Sequence, residues 1–62
     1  MYRLYVKFQD QKRFAPVDWN NGVQVVNLIY ASMFTPQEVE RVKRVYLAHP
    51  DNSHMKWEFR QV

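Results

Sequence analysis

Polar and apolar residues alternate from the start of the chain: Tyr2, Leu4, Val6 and Phe8 are interleaved with Arg3, Tyr5 and Lys7. Period two places the two sets on opposite faces of a strand, so residues 2–8 are predicted to be one. The polar run Gln9 to Lys12 suits a turn into a second strand over Arg13 to Trp19. Pro16 cannot donate a ladder hydrogen bond, so that segment is predicted to lie at an edge or to break at the proline. Asn20-Asn21-Gly22 holds the chain's only glycine and marks a reversal, because Asn and Gly accept positive φ at low cost. Val23 to Phe34 fits two patterns. Val23, Val26, Tyr30 and Met33 trace a helical face, whereas Val26, Leu28 and Tyr30 alternate; the β-branched Val23, Val25, Val26 and Ile29 tip the reading to a strand.

Thr35-Pro36-Gln37-Glu38 predicts a helix start, with Thr35 as cap, Pro36 where a missing N–H is harmless, and Glu38 three residues on to close a capping box. The helix is predicted to carry Val39, Val42 and Tyr46 toward the core, to pair Glu40 with Arg44 on its outer side, and to end near His49 before Pro50. After the loop Asp51-Asn52-Ser53, alternation returns from His54 to Arg60, with Met55, Trp57 and Phe59 on one face. The fold class is therefore α+β: one domain over residues 1–62, in the order β-β-β-α-β. A three- to four-stranded, mainly antiparallel sheet carries one amphipathic helix on one face. Leu4, Val6, Phe8, Val39 and Val42 are the expected core.

Composition narrows the picture in three ways. With 62 residues and no cysteine, the core must rest on apolar packing, without disulfides or thiolate ligands, and a reducing compartment is expected. The alternating N-terminus lacks the unbroken apolar run of about 7–15 residues that a secretion signal needs. The stretch from Val23 to Phe34 is shorter than the roughly 20 residues of a bilayer span. These features predict a soluble, cytoplasmic protein with no membrane partner. Finally, four Tyr, four Phe and two Trp supply more ring surface than one sheet and one helix readily hide, which predicts rings at an interface.

The run Gly22 to Ala31, followed by Phe34-Thr35 and a helix rich in Glu and Lys/Arg, resembles small uncharacterised bacterial proteins often found near mobile elements. Phe14 before Asp18-Trp19 and an aromatic last strand are similar to the same group. The resemblance spans nearly the whole chain and implies a fold and a bacterial cytoplasmic origin. It brings no assigned activity and no functional residues.

Chemistry is sparse. His49, Asp51 and His54 flank one loop, but their spacing matches no standard zinc motif and three ligands fall short of a structural site. A polar, solvated loop is the reading taken, with no metal and no cofactor. Ser32, Ser53 and Thr35 with two histidines and three aspartates are the only parts for a hydrolase, and a single glycine leaves no phosphate-cradling loop. No enzyme and no small-molecule substrate are expected. If the apolar sets of the first and last strands face the helix, Arg3, Tyr5 and Lys7 share the other sheet face with Lys56, Glu58 and Arg60. Cations around a ring are what single-strand binders use, and an ordinary solvated face is the alternative. The helix cations Arg41, Lys43 and Arg44 fall in no single row. The sequence thus favours a noncatalytic protein-interaction module, with a homodimer as one form and Trp19, Tyr30 and Phe34 as the contact region. The alternative is a weak, sequence-tolerant nucleic-acid binder using Arg3, Tyr5, Lys7, Lys56 and Arg60.

Overall fold

The computed structural model describes residues 1–52 and 54–62. Strand β1 (Tyr2–Phe8) is the axis of a five-stranded sheet. One of its edges pairs along its full length with β5 (Met55–Gln61), from Tyr2 opposite Gln61 to Phe8 opposite Met55. The other edge is shared: β2 (Ala15–Asp18) takes the C-terminal half and β4 (Met33–Phe34) the N-terminal half. Strand β3 (Val23–Gln24) extends the sheet beyond β2. Every pairing is antiparallel.

The α+β class holds, but the element order is β-β-β-β-α-β, with five strands instead of three or four. The difference lies between residues 23 and 34. The single strand expected there is two short strands separated by a 3-10 turn over Leu28–Tyr30. The Asn27 side chain accepts the Ile29 N–H and caps that turn, a local bond that competes with a continuous ladder. Strand β2 runs through Pro16 and lies between β1 and β3, so it is not an edge. The Pro16 carbonyl accepts from Val25 on the side away from β1, so the missing N–H removes nothing from the β1 ladder. Gly22 has φ of 66° in the reversal that follows, and the Asp18 carboxylate accepts the backbone N–H of Asn20 and Asn21 there.

Helix α1 (Pro36–Val42) opens with the expected capping box, in which Thr35 and Glu38 each accept the other's backbone N–H. From Lys43 to Leu47 the turn widens into a π-helix, closed by Ala48 N–H donating to the Lys43 carbonyl five residues back. That widening corrects the predicted stripe. Four residues beyond Val42 stands Tyr46, which is 48% exposed; five beyond stands Leu47, which is buried. It also moves the outer ion pair, so Glu40 lies 4.0 Å from Lys43 instead of meeting Arg44.

The helix covers the face of β1 that carries Leu4 and Val6, and these pack with Val17, Phe34, Val39, Val42 and Leu47. Phe8 is half-buried at the margin, with Met55 and Trp57. Around this aliphatic centre runs a chain of edge-on rings. Tyr46 meets Trp19 at 5.4 Å, Trp19 meets Phe34 at 6.1 Å, Phe34 meets Phe59 at 5.4 Å, and Phe59 meets Trp57 at 6.2 Å. Such contacts contribute about 0.5–1.5 kcal/mol each beyond burial. Much of the aromatic excess is used this way. No helix of the described residues is long and apolar enough to cross a membrane.

Candidate nucleic-acid interface

The register of β1 against β5 builds the site. Leu4 stands opposite Phe59 and Val6 opposite Trp57, which turns both sets toward the helix. Alternation then sends the intervening residues to the other face: Arg3 opposite Arg60, Tyr5 opposite Glu58, and Lys7 opposite Lys56. Arg3, Tyr5, Lys7, Lys56 and Arg60 are thus gathered on one sheet face. The side chains of Lys56 and Arg60 are exposed, and those of Arg3, Tyr5 and Lys7 are half-buried.

Two of the three cross-strand pairs join like charges. Direct opposition of like charges destabilises a sheet, and the single acid, Glu58, is spent on Arg60, whose Nε donates to its carboxylate. The Arg60 guanidinium carbon lies 4.1 Å from the centroid of the Tyr5 ring and 5.7 Å from that of Phe14. Arg3 Nε is buried without a hydrogen-bond partner among the described residues. At the far end, Lys7 and Lys56 border a shallow concavity that also takes in Phe8 and His54.

Phe14 is the member that sequence reasoning missed. Pro16 stands opposite Tyr5 and therefore shares its face, and Phe14, two residues earlier, falls on the same side beside Arg60. The signal in the sequence was the alternation of Phe14, Pro16 and Asp18 with Ala15 and Val17, and the burial of Val17 in the structure then assigns the even residues to this face.

Of the residues expected to make a protein contact, Trp19 and Phe34 meet edge to face inside the fold, so the three form no shared exposed patch. Phe34 is 4% exposed and sits in the core, which removes it from any surface. Trp19 is partly buried between Phe34 and Tyr46, and its backbone N–H donates to Ser32 Oγ. Tyr30 alone is open, at 63%, and its neighbours are Val26, which is fully exposed, and Ile29, at 76%. These exposed aliphatics follow from the two-strand break at residues 25–32, which leaves their side chains without a sheet face to cover them.

Around the loop after the helix, the His49 Nδ1 and Asp51 carboxylate are 3.9 Å apart, while the His54 ring stacks on Phe8 at 5.9 Å. Among the described residues no three potential metal ligands stand together. Of the hydroxyls weighed for hydrolysis, Thr35 caps the helix, Ser32 accepts from Trp19, and Ser53 lies outside the described residues. No family model, no curated protein and no solved structure matches the chain.

Proposed function

We propose that this chain is a noncatalytic nucleic-acid-binding module that holds a phosphate backbone along the β1–β5 face. The observation that carries the reading is the register, which sets Arg3 against Arg60 and Lys7 against Lys56. Folding gains nothing from setting Lys7 against Lys56, and within the fold only Glu58 and the Tyr5 ring offset Arg3 against Arg60, whereas a polyanion laid along the face relieves both pairs. Binding is sequence-tolerant, because these side chains address phosphates.

The test is fluorescence anisotropy of a labelled thymidine 12-mer over a salt series. Binding should weaken as salt rises, and the four cations of the face limit the slope of log K against log salt to about −2.8 for a single strand. Lys56→Glu should weaken binding at every salt concentration and flatten that slope by about 0.7 or more. An affinity indifferent to salt, or no binding at low salt, overturns the proposal.

A second reading is contact with protein, first of all a second copy of the chain. It is favoured by the exposure of Val26, Ile29 and Tyr30 on one segment. Sedimentation equilibrium separates the two: a dimer held by these residues persists at raised salt and is lost in Ile29→Asp.

A further inference from the structure

The charge ladder by itself does not distinguish a duplex, an unpaired strand or another polyanion. The rings between the cations do. Arg60 reaches from β5 diagonally across Tyr5 of β1 and lies toward Phe14, just before β2, so a guanidinium and two aromatic rings meet in the middle of the basic face. Glu58 holds the Nε edge of that guanidinium, which limits its freedom to swing away.

We infer that this Tyr5–Arg60–Phe14 group is a base-stacking platform, and that the ligand of the face is an unpaired nucleic-acid strand; the inference rests on the phosphate-binding reading above. The guanidinium is planar and delocalised, so beside the Tyr5 and Phe14 rings it offers one more flat group on which a base can stack. Unpaired bases are recognised on such Arg planes and on aromatic side chains, while the bases of a duplex are stacked inside it and cannot reach them. The spacing suits the task. At a strand rise of about 3.3 Å per residue, Tyr5 is roughly 7 Å from Arg3 on one side and from Lys7 on the other. A base on the platform is therefore flanked along β1 by cations placed for the phosphates before and after it. Phe14 extends the platform sideways and is half-buried there.

The experiment compares four ligands of equal length on the whole chain at one low salt concentration: a thymidine 12-mer, a uridine 12-mer, an abasic 12-mer and a 12-base-pair duplex. The thymidine and uridine strands should bind about five- to 160-fold more tightly than the abasic strand, the range that stacking one base provides. Arg60→Lys keeps the charge and removes the plane, and Phe14→Ala removes the ring; both should erase most of that ratio. Because Phe14→Ala also touches the fold, the unmodified protein gives an independent readout. The side-chain protons of Arg60 and the ring protons of Phe14 should shift upfield in NMR spectra with the thymidine strand and stay in place with the abasic one. Equal binding of abasic and base-bearing strands, or tighter binding of the duplex, overturns the stacking platform and leaves the phosphate-binding reading standing. No binding of any ligand overturns both.

Discussion

At the residue scale, Glu38 shows how a local motif writes itself into pH dependence. Its carboxyl is held below the ordinary value of 4.5, first by the Thr35 backbone N–H it accepts and then by the Thr35 hydroxyl. A carboxyl depressed by folding stabilises the fold at pH values above its unfolded value and loses that contribution as pH falls through the folded one. Glu38→Gln should therefore be less stable than the parent at pH 7, with the gap closing as pH drops below 4.5 toward the depressed value. Thermal melts of both chains from pH 7 to pH 2.5 check this, and a gap that stays constant with pH would contradict it. The motif was fully legible in sequence, because Thr35, Pro36 and Glu38 lie within one turn and need no distant partner. The fate of Phe34 was not. Its burial depends on β4 pairing with β1 and on two rings from far along the chain, Trp19 in the turn after β2 and Phe59 on β5, packing against it.

At the element scale, the π-helix at Lys43–Leu47 sets the helix's relation to the sheet. A continuous α-helix keeps Tyr46 over the core and turns Leu47 away; the wider turn does the reverse. It places the Tyr46 ring against Trp19 at the margin. Leu47→Ala is expected to cost about 2–5 kcal/mol, as for other buried leucines. Tyr46→Ala should cost about 1 kcal/mol for its ring contact. Urea denaturation of the two variants measures the order, and a larger loss at Tyr46 would mean that α-helical spacing persists in solution. The helix start followed from caps and proline, but the register of its last turn did not. Val45, Tyr46 and Leu47 are all apolar, so their pattern accepts either spacing, and packing against Val42 and the sheet selects one.

At the scale of the whole molecule, one sheet face is used for the core and the other for charge, and the two make opposing demands on the same strands. The pairs Arg3–Arg60 and Lys7–Lys56 weaken the sheet they belong to. Lys56→Glu turns one repulsive pair into an attractive one and should raise stability by about 0.2–1 kcal/mol in low salt, a gain that shrinks as salt screens the pair. Chemical denaturation at two salt concentrations measures it. Coupled to the loss of oligonucleotide affinity expected of the same variant, that gain would mark a face kept for binding at the expense of stability. A variant that binds less and is also less stable would mean that Lys56 serves the fold.

Alternation alone was enough to determine the two long strands, the assignment of Leu4, Val6, Trp57 and Phe59 to the core side, and the grouping of Arg3, Tyr5, Lys7, Lys56 and Arg60 on the other. Those properties follow from a period of two read along a single strand, and they survive any strand order that keeps one face buried. Tertiary structure alone decided which residue stands opposite which, and hence that cations oppose cations and that Arg60 crosses to Tyr5 and Phe14. It also divided the segment from Val23 to Phe34 into two short strands, burying Phe34 and leaving Val26, Ile29 and Tyr30 exposed. Each of these depends on contacts between residues far apart in the chain, where the free energy of pairing and packing outweighs the small differences among local preferences.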